Sequence, residues 1–167
     1  MPPQLIEMPL YPMPGPIPET VATFIDEGLR RSKPIDCFDF VPCDYPTLYT
    51  ALAAANRGRF CEWGSGMGIG IGLAEMLGFD SLGIEIDAAM ATASRELLRD
   101  FGLSARVETG SYFELQRDAD IYFSYCWPGQ LARVEDRFAS AAPESSQLWT
   151  YYSAGDIRGK VKREAPS

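Results

Sequence analysis

The sequence predicts an α/β protein built on a doubly wound, mostly parallel β-sheet with helices on both faces. From residue 59 onward, short apolar runs typical of buried strands alternate with helical patterns. A glycine-rich stretch directly follows the first of these strands. The length of 167 residues fits a single globular unit with a sizeable core.

The N-terminal part of the chain has a different composition. Residues 1–18 contain seven prolines, so we expect an extended arm there and neither a helix nor a central strand. The apolar residues of this arm favour docking along the domain over free solvation. Helical periodicity predicts a helix over Glu19–Arg31. We therefore divide the chain into an arm with one helix, 1–43, and a main domain, 44–167.

Alternating elements fill the main domain. Asp44 suits a helix N-cap, with Pro46 in the first turn and the helix ending near residues 56–58. Strands are predicted at 59–63, 81–86, 105–110, 120–127 and 147–152. The other helices are predicted at 69–77, 88–101 and 129–142. Strands separated by helices of this length indicate βαβ units and a sheet covered on both faces.

Composition excludes several classes of protein. The net charge of −8 disfavours binding along a nucleic-acid backbone. With no histidine and no CxxC pair among the four cysteines, we expect no metal site and reduced thiols in a cytoplasmic protein. The sequence shows neither an apolar run long enough to span a membrane nor a signal segment. We expect a solvated tail where basic residues gather, at Arg158, Lys160, Lys162 and Arg163.

The glycine-rich stretch, CEWGSGMGIGIGLAEM at residues 61–76, indicates a ligand-binding loop. No register of it fits the GxGxxG or GxGxxA pattern of dinucleotide sites, in which a pyrophosphate rests on a helix N-terminus. It does fit E-x-G-x-G-x-G, with Glu62 ahead of Gly64, Gly66 and Gly68. A carboxylate before the loop is unfavourable for a pyrophosphate and suits a ligand that carries an ammonium group.

At these residues the chain resembles the class I S-adenosylmethionine-dependent methyltransferases. The resemblance implies that the loop wraps the methionine part of S-adenosylmethionine and that Glu62 interacts with its amino end. Glu85 ends the next strand, 21 residues after Gly64, and matches the acid that binds the ribose hydroxyls in this family. That spacing alone would suit an NAD site as well. The implied cofactor-binding residues are Glu62, Gly64, Ser65, Gly66, Gly68, Glu85, Ile86, Ser111 and Tyr112.

The third and fourth strands depart from the family pattern. Many members place an Asp near the end of the third strand to meet the adenine amino group, where this chain has Ser111. We expect Ser111 or a backbone carbonyl to take that role, and Tyr112 or Phe113 to stack on the adenine.

The fourth strand ends in SYCWPGQ, which half-matches the [DNS]PP[YFW] motif of amino-group methyltransferases through Ser124 and Trp127. We expect Trp127 to form a wall for the acceptor and Tyr125 to orient or deprotonate it. The alternative is that both rings pack under the next helix.

The resemblance implies transfer of a methyl group by in-line displacement to a small-molecule or protein acceptor. Family members usually end the sheet with an antiparallel hairpin, but only 15 residues follow Tyr152, so we expect this hairpin to be abbreviated or absent. The open edge would be completed by the arm or by a partner, which favours a homodimer through that edge. Two alternatives stay open: a nucleotide-binding oxidoreductase, and a methyltransferase-like module that binds without turnover.

Overall fold

The computed structural model describes residues 3–12, 15–37 and 40–164. Its strands are β1 (Gln4–Met8), β2 (Arg59–Trp63), β3 (Asp80–Glu85), β4 (Arg106–Thr109), β5 (Ile121–Tyr125), β6 (Gln147–Ser153) and β7 (Asp156–Arg163). Its helices are α1 (Glu19–Ser32), α2 (Tyr45–Ala54), α3 (Ile69–Met76), α4 (Ala88–Asp100) and α5 (Leu131–Ala141). The predicted elements from α1 to β6 are confirmed, with ends that differ by a few residues.

The seven strands form one sheet in the order β1-β7-β6-β5-β2-β3-β4. Strands β2 to β6 pair in parallel, and β7 is antiparallel to both of its neighbours. The predicted α/β fold with a mostly parallel, doubly wound sheet is therefore confirmed. Strand order reverses between β2 and β5, and in such sheets the crevice beyond the carboxyl ends at this point is where ligands bind.

Alternating side chains of the strands pack into two apolar clusters, one on each face of the sheet. On β2, Phe60 belongs to the cluster that includes residues of α1 to α4, whereas Cys61 belongs to the cluster with α5. Tyr122 and Phe123 of β5 divide between the two clusters in the same way. The sheet is thus covered on both faces, by four helices on one and by α5 on the other.

The N-terminal arm, which the sequence analysis expects to be extended, forms the edge strand of the sheet. Strand β1 pairs with β7 from Gln4 opposite Arg163 to Met8 opposite Gly159. A Cβ atom at residue 159 would lie 2.9 Å from the carbonyl oxygen of Met8 and 3.2 Å from Cγ of Leu10. Glycine therefore lets the arm approach β7 closely. Of the two expected ways to complete the sheet, the arm is the one present.

The expectation of a solvated basic tail is wrong. Residues Arg158 to Arg163 belong to β7, which lies between β6 and β1, and the ammonium group of Lys160 pairs with the Glu135 carboxylate of α5. The single strand β7 follows β6 and forms a hairpin with it, so the outermost position of the sheet is taken by β1. A homodimer through the sheet edge stays a prediction, with β1 in place of β7 at that edge.

Among the described residues, no helix combines the length and the apolar character that crossing a bilayer requires.

Candidate functional site

An open cavity of about 970 Å³ lies at the carboxyl ends of the central strands, next to the point where strand order reverses. The predicted residues that line it are Glu62, Gly64, Ser65, Gly66, Glu85, Ile86, Ser111, Tyr112, Tyr125 and Trp127. Gly68 is not among the lining residues. Residues from the loops after β2, β3, β4 and β5 thus meet in one cavity, as expected for parallel strands that end at the same edge.

The glycine loop uses its own N–H groups within the protein. The N–H groups of Gly64 and Ser65 both donate to the carbonyl oxygen of Ile84, at 2.8 and 3.0 Å. The N–H of Gly66 donates to Oε2 of Glu85 at 2.7 Å, and that of Gly68 donates to the Ser65 carbonyl oxygen at 2.8 Å. These four N–H groups are therefore not presented to a phosphate, in contrast to a phosphate-binding loop.

Two loop glycines have positive φ angles and face the cavity. Gly64 has φ of 74°, and a Cβ atom there would meet no heavy atom within 4 Å, so a ligand can reach the main chain. Gly66 has φ of 54°, and a Cβ atom there would lie 2.7 Å from the ring of Phe40. The Phe40 ring therefore covers the loop at Gly66, a contact that no sequence motif indicates.

Gly68 and Ser65 have structural contacts instead. Gly68, with φ of 78°, immediately precedes α3, and a Cβ atom there would lie 3.1 Å from Cβ of Ser94. The Ser65 side chain packs on β3, where a Cβ atom at Gly83 would be 2.5 Å from its Oγ atom. Ser65 can therefore meet a ligand through its main chain, and Gly68 supports the close packing of the loop on α4.

Glu62 extends from the end of β2 to the first turn of α3. Its side chain is 7% exposed, and a Cβ atom at Gly70 would lie 2.3 Å from its Oε2 atom. The backbone N–H of Ile71 also donates a hydrogen bond to this carboxyl group. The helix N-terminus that would bind a pyrophosphate in a dinucleotide site is thus occupied by a carboxyl group of the protein itself.

The environment of Glu62 makes its negative charge costly. Burial raises the pKa of this carboxyl group well above its usual value, and the nearby charge of Glu85 raises it further. The Ile71 hydrogen bond acts in the opposite direction. The Oε2 atom is buried without a hydrogen-bond partner. Since an unpaired buried oxygen is unfavourable, a cationic donor beside Glu62 would be bound well.

Glu85 ends β3 with its carboxylate held by two backbone groups. Its Oε2 atom accepts from the N–H of Gly66 at 2.7 Å, and its Oε1 atom accepts from the N–H of Asp87 at 3.1 Å. A carboxylate has about four acceptor positions, so each oxygen can accept one further bond. The carboxylate is therefore oriented at the cavity and can bind two neighbouring hydroxyl groups. Ile86, 70% exposed, stands at the cavity mouth beside it.

Stacked aromatic rings form the wall of the cavity after β4. The ring of Tyr112 is parallel to that of Trp63, with centroids 5.1 Å apart, and also contacts Phe113 at 4.5 Å. Burial raises the pKa of the Tyr112 hydroxyl. The hydroxyl oxygen of Ser111 accepts from the N–H of Phe113 at 3.2 Å, which fixes the turn that begins this wall. The guanidinium group of Arg133, from α5, lies 3.9 Å from the centre of the Phe113 ring.

A second wall follows β5, which ends at Tyr125, two residues earlier than predicted. The rings of Tyr125 and Trp127 meet edge to face at 5.4 Å, and Tyr125 also contacts Tyr151 of β6 at 5.6 Å. Trp127 remains 40% exposed and lines the cavity. Ser124, the other residue of the half-matched motif, is buried, and its hydroxyl group donates to the carbonyl oxygen of Tyr125 at 3.4 Å.

Several lining residues escape sequence reasoning. Phe40 and Cys43 come from the irregular segment before α2, and Arg133 from the first turns of α5. Burial raises the pKa of the Cys43 thiol well above its usual value, so this cysteine is protonated at neutral pH. No spacing pattern marks these positions, because the path of the segment before α2 and the placement of α5 against the cavity are set by the tertiary fold.

Comparison with known proteins identifies the fold. No family model and no curated protein matches the chain. Among solved structures, a methyltransferase from Geobacter sulfurreducens superposes with a TM-score of 0.64 at 16% identity, covering 90% of this chain and 93% of that one. An RNA methyltransferase from Salinibacter ruber, in complex with S-adenosyl-L-homocysteine, gives 0.55 at 15% identity, covering 92% and 95%.

A third similar structure is an S-adenosylhomocysteine-bound methyltransferase from Podospora anserina, with a TM-score of 0.64 at 15% identity. The match covers 80% of this chain and 62% of that one, so the chain spans about three fifths of that protein. At sequence identities of 15–16%, these similarities show the fold alone. The chain has the class I methyltransferase fold, as the sequence predicts.

Proposed function

We propose that this chain binds S-adenosylmethionine and transfers its methyl group to an acceptor by in-line displacement. The observation that carries the proposal is the position of Glu62. Its carboxyl group occupies the N-terminus of α3, where a pyrophosphate would otherwise bind, and its buried Oε2 atom lacks a partner. A ligand with an ammonium group beside this loop satisfies that oxygen, and the methionine part of S-adenosylmethionine carries such a group.

The rest of the cavity fits the same ligand. Gly64 leaves its main chain open for the methionine part, and the oriented Glu85 carboxylate can accept both ribose hydroxyls. Ile86 at the mouth and Tyr112 in the aromatic wall offer apolar surfaces for the adenine. When bound, S-adenosylmethionine supplies an electrophilic methyl group on a sulfonium. The chain contributes by orienting both reactants and excluding water, and Tyr125 and Trp127 would face the acceptor.

The alternative of a nucleotide-binding oxidoreductase is disfavoured by the same geometry. A dinucleotide needs free N–H groups for its pyrophosphate, whereas the loop N–H groups of Gly64, Ser65, Gly66 and Gly68 are engaged by protein oxygens. The carboxyl group of Glu62 would in addition lie against the pyrophosphate. NAD binding would therefore require both the loop and this side chain to rearrange.

Calorimetry with S-adenosylhomocysteine and with NAD tests the cofactor assignment. We expect S-adenosylhomocysteine alone to bind, and Glu85→Ala to weaken it at least about tenfold because two hydrogen bonds to a charged acceptor are lost. Glu62→Gln should weaken it by a similar factor. Glu96→Ala, at an exposed position of α4, is the matched control and should leave binding unchanged. Binding of NAD in place of S-adenosylhomocysteine would refute the proposal.

Turnover is a separate measurement that distinguishes an enzyme from a binding module. Release of S-adenosylhomocysteine from S-adenosylmethionine should depend on an added acceptor from a panel of amines, phenols, thiols and carboxylates. Trp127→Ala should lower the rate while leaving S-adenosylhomocysteine affinity nearly unchanged, since Trp127 belongs to the acceptor wall. Tight binding without turnover of any panel member would favour the non-catalytic alternative.

A further inference from the structure

The wall of the cavity after β5 is available for the acceptor. The proposed cofactor contacts come from the loops after β2, β3 and β4. Besides the segment before α2, the remaining lining includes a wall formed by Tyr125, Trp127, Gln130 and Arg133, which lie at the end of β5 and the beginning of α5. Its aromatic part consists of Tyr125 and Trp127, whose rings meet edge to face and both line the cavity.

Charge is distributed unevenly within the cavity. Among the described lining residues, Arg133 is the one cation, whereas the carboxylates are those of Asp36, Glu62, Glu85 and Asp87. Glu62 and Glu85 are assigned to the cofactor, and the Asp87 side chain accepts the N–H of Met90 at 2.8 Å. The guanidinium of Arg133 is held over the Phe113 ring and takes part in none of the ion pairs between described residues. It is therefore available to a negative group of a ligand.

Proton transfer also limits the acceptor. A protonated amine must lose a proton before it can attack, and the chain contains no histidine to receive it. Burial raises the pKa of Cys43 and of Tyr112 in this cavity, so both groups hold their protons at neutral pH. An oxygen anion needs no base. Its lone pair forms the new bond to the methyl carbon while the carbon–sulfur bond breaks and its electron pair stays on sulfur.

We infer that the acceptor is a small organic anion whose flat apolar part lies against Trp127 and whose negative group binds Arg133. This inference rests on the proposed function and makes Arg133 a specificity-determining residue. Asp36, exposed at the cavity rim, would favour a cation instead, so the two charged positions predict opposite preferences.

Binding of three probes with the same ring tests the inference: benzoate, benzamide and benzylamine. Trp127 is 40% exposed, whereas Trp63, which also lines the cavity, is 4% exposed and stacks on Tyr112 in the proposed cofactor wall. Trp149 is 1% exposed. Once the cofactor site is saturated, probe-induced changes of fluorescence therefore report mainly on Trp127. In protein saturated with S-adenosylhomocysteine, we expect benzoate to bind about tenfold more tightly than benzamide, and benzylamine to bind most weakly. Equal affinities, a preference for benzylamine, or no saturable binding of benzoate would overturn the inference.

Substitutions test whether Arg133 causes the preference for benzoate. Arg133→Gln should abolish the preference for benzoate, and Arg133→Lys should keep part of it because the charge remains without the planar guanidinium. Arg99→Gln, at an exposed position in the last turn of α4, is the matched control and should keep the full preference. Asp36→Asn should leave benzoate binding intact. A preference that survives in Arg133→Gln would overturn the assignment.

Failure of this inference can be separated from failure of the proposed function. Affinity for S-adenosylhomocysteine is measured first, without any probe, in the unaltered chain and in Arg133→Gln. Loss of affinity in Arg133→Gln would mean that Arg133 binds the cofactor's own carboxylate, which overturns the acceptor assignment and leaves the cofactor proposal standing. If the unaltered chain does not bind S-adenosylhomocysteine, the proposed function fails, and the inference that depends on it fails too.

Discussion

The carboxyl group of Glu62 lies against the main chain of Gly70 at the first turn of α3. A Cβ atom at Gly70 would be only 2.3 Å from Oε2 and 2.9 Å from Cδ, so this position admits glycine alone while Glu62 keeps its place. The absence of a side chain at Gly70 is therefore required by the position of the Glu62 carboxyl group. This pair explains why the helix N-terminus is closed to a pyrophosphate although the loop before it is rich in glycine.

The first prediction follows from this contact. Gly70→Ala should destabilise the protein by about 1–3 kcal/mol, because the new methyl group displaces the Glu62 carboxyl group. In the absence of that contact, alanine would stabilise a helix by up to about 1 kcal/mol relative to glycine. The sign of the change in free energy of unfolding, measured by urea denaturation, therefore reports on the contact.

Two further variants serve as controls for Gly70→Ala. Replacing Glu62 with alanine in the same chain should remove the clash, so that Gly70→Ala becomes neutral or stabilising in that background. Gly129→Ala, where a Cβ atom would meet nothing within 4 Å, should be tolerated. A stabilising effect of Gly70→Ala in the presence of Glu62 would contradict the observed packing.

The second prediction concerns stability as a function of pH. Burial and the Glu85 charge raise the pKa of Glu62 above 4.5 in the folded state, so the folded chain binds this proton more tightly than the unfolded chain. The stability that protonated Glu62 contributes is complete below pH 4.5 and is lost as pH rises through the raised pKa. Glu62→Gln stays neutral and avoids this loss.

We therefore expect the variant to gain stability relative to the unaltered protein as pH rises from 4.5 toward neutrality. Urea unfolding at a series of pH values measures the difference in free energy of unfolding. The other ionisable groups that influence the pKa of Glu62 or are influenced by its charge are Glu85, Cys43, Tyr45 and Cys61, and the substitution leaves them in place. A difference that is constant over this range would mean that Glu62 is ionised at all these pH values.

The third prediction links this proton to ligand binding. An ammonium group beside Glu62 favours the ionised carboxylate, so binding of S-adenosylhomocysteine should release the proton that the free protein holds. Calorimetric binding enthalpies should then differ between buffers with different enthalpies of ionisation, and the difference should disappear in Glu62→Gln. Identical enthalpies in all buffers for the unaltered chain would show that no proton is released.

The sequence predicted the central part of this arrangement because local rules apply there. Parallel strands end at one edge of the sheet, so acids at the ends of β2 and β3 had to lie near the glycine loop, and Glu62 and Glu85 line the same cavity. The position of the Glu62 carboxyl group could not be predicted from the sequence in the same way. It depends on Gly70, eight residues further on, which the pattern marks only as one more glycine.

Long-range pairing at the edge of the sheet was the part that sequence reasoning left open, between the arm and a partner. Strand β1 has few residues of strong strand preference and many neighbouring prolines, and its partner β7 lies at the other end of the chain. The basic residues of β7 are typical of a solvated tail, but the segment is a strand whose inward positions are Ile157 and Gly159. Ile157, Gly159 and Val161 alternate with basic residues as in a strand, but the sequence analysis interpreted the basic run as a solvated tail.

The fourth prediction tests how much the pairing of β1 with β7 contributes to the stability of the sheet. Deleting residues 1–12 removes β1 and Leu10, which uncovers Gly159 and leaves the β7 edge unpaired. We expect the melting temperature to fall by about 5–10 °C and the truncated chain to associate through the exposed edge. Thermal unfolding and sedimentation at several protein concentrations measure both effects.

Tyr11→Ser, at a side chain that is 78% exposed, keeps β1 and should behave like the unaltered chain. A truncated chain with unchanged melting temperature and unchanged oligomeric state would show that β1 adds nothing to the stability of the sheet.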